Sequence, residues 1–185
     1  MMMSSIFIFF AEGFEETEAI TIVDLLRRAS INVATISVTG TTMVTGSHAI
    51  SIKADALFEE VDFSQADLLI LPGGMPGSIN LAEHKGLSDL LQQHNKNNKF
   101  VAAICAAPII LGKLKILQNR EAICYPGFEK DLLGANISHK TLVQDSNIIT
   151  AKGPGFAIDF GLYLIGLLKG ADKKKEVADN FLYML

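Results

Sequence analysis

A chain of 185 residues, 49% of them apolar, has the size of one domain able to bury a substantial core. Its formal charge of -4 comes from 20 acidic and 16 basic side chains mixed along the chain, which excludes a broad basic surface and makes nucleic acid an unexpected primary ligand. No stretch reaches the roughly 20 apolar residues that cross a bilayer, and the apolar run Ile6 to Phe10 has no basic region before it and Glu12, Glu15 and Glu16 after it, so it reads as a buried strand rather than a signal peptide. Two cysteines, Cys105 and Cys124, make no disulfide framework. The expected setting is a reducing cytoplasm, away from membranes.

Short β-branched or aromatic runs alternate with segments of helical periodicity, the pattern of a doubly wound α/β fold with a mainly parallel sheet and helices on both faces. In chain order, Ser5 to Phe10 is predicted as the first strand and Glu16 to Ala29 as a helix with apolar positions Ile20, Val23, Leu25, Leu26 and Ala29. Asn32 to Val38 follows as a strand, and alternation around Gly46 predicts a β-hairpin between Thr41 and Ala54. Asp67 to Leu71 is a continuous apolar strand that stops at Pro72, Gly73 and Gly74, where the backbone can turn sharply and expose its amides. Helices are expected near Ser78 to Leu81 and from Gly86 to Asn95, then a buried strand from Phe100 to Ile104. Pro108 suits the first turn of the next helix, where a missing amide costs nothing. Strands are expected at Glu121 to Cys124 and Ile148 to Ala151 with a polar hairpin over Gln144 to Asn147, and helices at Phe156 to Leu168 and Lys173 to Met184. No repeat or linker divides the chain, so residues 1–185 are expected to form a single domain.

Cys105 follows a buried parallel strand and precedes a helix, at the sheet edge where open α/β folds bind ligands. The free amides of that helix would favour the thiolate, and Ala106 and Ala107 leave room for a tight strand-to-helix elbow. The bland alternative is a small buried hydrophobe. A nucleophile also needs an oxyanion site and a proton carrier. The Gly74 and Ala106 amides are candidates for the first, although Gly73 and Gly74 could serve only as turn residues. Glu12, Glu15, Glu16 and Glu18 are candidates for the second, with Glu15 and Glu18 spaced to share a helix face; the alternative for each is a favourable contact with the helix dipole. His48, His84, His94 and His139 read as surface histidines, Cys124 as a structural cysteine, and no metal-ligand spacing is present.

AEGFEETEA at residues 11–19, LPGGMPG at 71–77, AAICAAP at 102–108 and KGPGFAIDF at 152–160 resemble the ThiJ/PfpI superfamily, in the branch of the Parkinson disease deglycase and its bacterial relatives. The resemblance covers nearly the whole chain and implies a flavodoxin-like sandwich, akin to class I glutamine amidotransferases. It further implies that Cys105 is the nucleophile, that Glu18 bonds its sulfur and relays protons, and that Gly74 and Ala106 donate backbone amides. A buried carboxyl near a thiolate should be partly protonated. Some relatives place a histidine near the cysteine, whereas CYPGF offers Tyr125 here; Tyr125 and Glu15 are the candidates for orienting a substrate. The peptidase branch has a histidine directly after its cysteine, where this chain has Ala106, which disfavours peptidase activity.

The function the resemblance implies is a deglycase or glutathione-independent glyoxalase, needing no cofactor or metal, that acts on small dicarbonyls or early glycation adducts, turns methylglyoxal into lactate and protects against carbonyl and oxidative stress. A homodimer packed through the helix carrying Arg27 and Arg28 is part of the same implication. The alternative is a redox-sensing binding protein or chaperone controlled by oxidation of Cys105.

Overall fold

Neighbouring residues of the central strands face opposite sides, and both sides are apolar, so the sheet has to be covered twice. In the first strand Ile6, Ile8 and Phe10 join one buried cluster and Phe9 the other; Leu68 and Ile70 divide from Leu69 and Leu71 in the same way, as do Ala102 and Ile104 from Val101 and Ala103. The computed structural model of the protein describes residues 5–184. Ser5–Phe10 (β1), Glu16–Arg28 (α1) and Val33–Ser37 (β2) are followed by a small hairpin, Met43–Thr45 (β3) and Ser51–Lys53 (β4), and by Ala56–Leu57 (β5). Ala66–Leu71 (β6), Gly77–Glu83 (α2), Lys85–Lys96 (α3), Phe100–Ile104 (β7) and Pro108–Lys113 (α4) form the middle of the chain. Then come Glu121–Ala122 (β8), Asn136–Ile137 (β9), Leu142–Asp145 (β10), Ile148–Ala151 (β11), Ala157–Lys169 (α5) and Ala171–Asn180 (α6).

Seven strands make the main sheet in the order β10-β11-β7-β6-β1-β2-β5, all pairs parallel except β10 with β11. The chain runs from β1 to β2 on one side and places β6 and β7 on the other. The switch point therefore lies at the carboxyl ends of β1 and β6, with β7 beside them. Helices α1, α5 and α6 cover one face and α2, α3 and α4 the other. No helix among the described residues is long and apolar enough to cross a membrane.

Several expectations are corrected. In α1 the buried stripe is Ala19, Ile22, Leu25 and Leu26, ending at Ala29, whereas Ile20 is 48% exposed; at 100° per residue Ile20 falls on the face opposite that stripe. The strand expected over Glu121 to Cys124 stops at Ala122, because the Ile123 amide donates to Thr150 Oγ1 at 3.0 Å and the Tyr125 amide to the Cys105 carbonyl at 2.7 Å. The last helix ends at Asn180, not Met184, and Leu182 and Met184 are solvent-exposed. His94, expected at the surface, is buried at the end of α3, where burial lowers its pKa to about 4 and keeps it neutral. His84 is half-buried and caps the same helix, its Nδ1 accepting the Leu87 amide at 3.0 Å. The two-residue strands β5 and β9 lie outside the expected elements.

Candidate active site

Three strand ends converge on one sulfur. Cys105 directly follows β7 with φ of +64°, a left-handed conformation that a side chain bearing Cβ adopts at a cost of about 1–3 kcal/mol. The turn is pinned by its neighbours: the Cys105 amide donates to the Ala151 carbonyl at 2.9 Å, and its carbonyl accepts from Tyr125. The sulfur is thereby held up as in a nucleophile elbow. Cys105 is 8% exposed.

From α1, Glu18 reaches the same point and is fully buried. Its Oε2 accepts the Gly73 amide at 2.8 Å, its Oε1 has no partner, and the Cys105 thiol lies against the carboxyl. Burial raises the Glu18 pKa to about 7 against the Gly73 hydrogen bond, a bias of about 3 kcal/mol toward the neutral acid. Burial also pushes the thiol well above its ordinary range; the Glu18 carboxylate adds to this, while the Ala106 and Gly74 amides pull the other way. The amides thus act in the expected direction, toward the thiolate, and burial opposes them. Helix α4 is only six residues long, and because burial disfavours charge on either group, the pair holds one proton between them in preference to two separate charges.

Gly73 makes this contact possible. A Cβ on Gly73 would stand 2.6 Å from Cys105 Cβ, 2.8 Å from Glu18 Oε2 and 3.1 Å from Cys105 Sγ. Gly74 adopts φ of +95° and, with Ala106, turns its amide toward the sulfur. Tyr125, 45% exposed, lines the open side with Phe128 and Pro154, completing a cleft of about 340 Å³ that also includes Glu15, Ser47 and His48.

The four acidic candidates separate by role. Glu12 accepts the Thr45 amide at 3.2 Å and stands outside this cleft. Glu15 is the N-cap of α1, accepting the Glu18 amide at 2.6 Å, and so orients the turn that presents Glu18. Glu16 is buried and points to the β3–β4 hairpin, where Oε1 accepts the His48 amide at 2.7 Å and Oε2 the His48 ring Nδ1 at 2.8 Å. Burial opposes its charge, yet the His48 ring and the amides of His48 and Ile50 hold its pKa down to about 2. Sequence reasoning missed His48 as a member of the cleft. Glu15, Glu16 and His48 bring ligand-type atoms within 4.8 Å of one another, but both Glu16 oxygens are already engaged by His48, so the cluster is a hydrogen-bonded pair rather than an open metal site. Cys124 is buried in the apolar cluster on the α2–α4 side, where burial pushes its pKa up to about 12, and neither cysteine is paired.

Gly73→Ala is expected to separate the thiol from the carboxyl: denaturant unfolding should show a loss of about 1–3 kcal/mol from overpacking, with a changed pH profile of Cys105 alkylation. Unfolding and alkylation both equal to wild type would contradict the close approach.

The chain as a whole has known counterparts. The family model described as "DJ-1/PfpI family" matches residues 4–167. Protein dj-1beta of Drosophila melanogaster is 35% identical over 183 residues, covering 98% of each chain. The oxidised DJ-1 of Toxoplasma gondii superposes with a TM-score of 0.94 at 33% identity, covering 98% of this chain and all of that one. A Bacillus subtilis protein, YraA, whose name provisionally makes it a cysteine protease, is 29% identical over 170 residues, covering 91% of this chain and all of its own. With its flavodoxin-like sheet, its elbow cysteine and full-length relatives on this scale, the chain belongs to the DJ-1/PfpI family.

Proposed function

We propose that the protein is a cofactor-independent cysteine enzyme of the deglycase and glyoxalase type, acting on reactive dicarbonyls or their early glycation adducts. The observation that carries this reading is the buried Glu18 carboxyl set against the Cys105 thiol beside the Gly74 and Ala106 amides. With methylglyoxal, ionised Glu18 takes the thiol proton as sulfur bonds to the aldehyde carbon, and the two amides hold the alkoxide oxygen. Glu18 returns that proton to the oxygen, giving a hemithioacetal. It then removes the hydrogen on C1 and delivers a proton to C2 through an enediol. C1 is thereby oxidised to a thioester and C2 reduced to a carbinol, an internal exchange that needs no external oxidant. Water cleaves the thioester to release lactate.

The peptidase alternative lacks a histidine after Cys105. The redox-sensing alternative receives less support, because the sulfur is 8% exposed and burial favours its protonated, less oxidisable form. Purified wild type should form lactate from methylglyoxal without glutathione, faster as pH rises through about 7 because Glu18 must ionise to accept the thiol proton. Cys105→Ser and Glu18→Gln should each lose at least about a hundredfold. Absent lactate with wild type, or unchanged turnover in Cys105→Ser, would reject the reading.

The same proposal includes a homodimer. Ile20 and Ile50, 48% and 53% exposed, stand on α1 and beside β4, and Ile20, Val23 and Ile52 line one shallow groove. An isologous contact through this face would cover them. Sedimentation should give a dimer for wild type and a shift toward monomer for Ile20→Glu; a monomeric wild type would reject the assembly.

A further inference from the structure

The proposed reaction ends in a step for which Glu18 is badly placed. Converting a neutral dicarbonyl and water into a hydroxy carboxylate releases one net proton to solvent. Glu18 is fully buried and is not among the residues that line the open cleft, so it has no open path for proton release to solvent. Tyr125, in the same cleft, offers only a hydroxyl.

The cleft does contain an imidazole, delivered by the β3–β4 hairpin. His48 lines the same cleft as Cys105, Gly74 and Ala106, and its side chain is 68% exposed. It is not a free surface group. The hairpin tip is docked by the Ser47 amide on the Phe14 carbonyl at 2.8 Å and by the two bonds from His48 to Glu16. Glu16, ionised down to about pH 2, accepts from Nδ1 and so fixes the tautomer of the neutral ring, leaving Nε2 as the basic nitrogen. A carboxylate that orients an imidazole in the cleft of a nucleophile follows the logic of a catalytic triad, recognised by geometry rather than chain order.

We infer that His48 is the general base for hydrolysis of the Cys105 thioester and that Glu16 is its positioning residue; the inference rests on the proposed cysteine chemistry. Nε2 takes a proton from water as the water oxygen bonds to the thioester carbonyl carbon, and the Gly74 and Ala106 amides hold the resulting oxyanion. Collapse breaks the carbon–sulfur bond, and sulfur leaves with the electron pair. The new carboxylic acid gives its proton back to the Glu18 and Cys105 pair, and His48 gives the water-derived proton to solvent. Atoms and charge then balance to dicarbonyl plus water giving hydroxy carboxylate plus one proton.

The groups facing His48 are Glu16 and Glu15 of α1, and both raise its pKa above 6.5, Glu16 more than Glu15. A base must be neutral to act, so the hydrolytic step should speed up as pH rises through that raised value. In Glu16→Gln the limb should move to lower pH.

The test is rapid-quench kinetics with methylglyoxal and intact mass, comparing wild type, His48→Ala, Glu16→Gln and Cys105→Ser. His48→Ala should consume about one equivalent of substrate, accumulate the acyl adduct on Cys105 and lose at least about a hundredfold in steady lactate release, with added imidazole restoring release. Steady release within twofold of wild type, or slow release without the adduct, would overturn the role of His48. If wild type itself makes no adduct and no lactate, the cysteine chemistry fails and this inference falls with it. If wild type turns over and Cys105→Ser does not, a failure in His48→Ala belongs to the inference alone.

Discussion

The close approach of a thiol and a carboxyl, both withdrawn from water, is the interaction that the rest of the site is built to permit. In water the two groups would titrate separately and hardly interact. Inside the protein each charge is costly unless shared or solvated by dipoles, so Glu18 and Cys105 behave as one acid with two sites. The Gly73 amide, the Gly74 and Ala106 amides and the absence of a Cβ at residue 73 all act on that unit. The sheet contributes position: β6 and β7 are adjacent and parallel, so the turns that follow them meet the start of α1 at one edge.

Much of this was legible in the chain. Apolar runs separated by helical segments specify a parallel sheet buried on both faces, and the strand ends fall where Leu71 meets Pro72 and where Ile104 meets Cys105. The register of α1 was harder. Its composition alone made Ile20 look internal, while the stripe that packs against α5 runs through Ile22. The strand after Glu121 was read too long because side-chain and carbonyl acceptors from Thr150 and Cys105 take its amides, a tertiary choice that β-propensity does not encode.

The site was legible where it is local and obscure where it is not. Cys105 with Ala106, and Gly73 with Gly74, announce themselves as turns after strands. Glu18 was one of four acids within seven residues, and the resemblance distinguished it. His48 gave no local signal: it lies 32 residues from Glu16 in a polar turn, and only the docking of the hairpin brings its ring to the cleft. A Gly-Ser-His turn after a short strand is compatible with a plain surface loop, and the buried carboxylate that changes its meaning belongs to another element.

The measurement closest to the central claim is infrared difference spectroscopy of the carboxyl stretch across pH, with Glu18→Gln as the reference that identifies the band. The account predicts a protonated carboxyl in wild type that titrates near pH 7 and is missing in the variant. A Glu18 that titrates at the ordinary value of 4.5, unaffected by Cys105→Ser, would mean that the two groups do not share a proton and would contradict it.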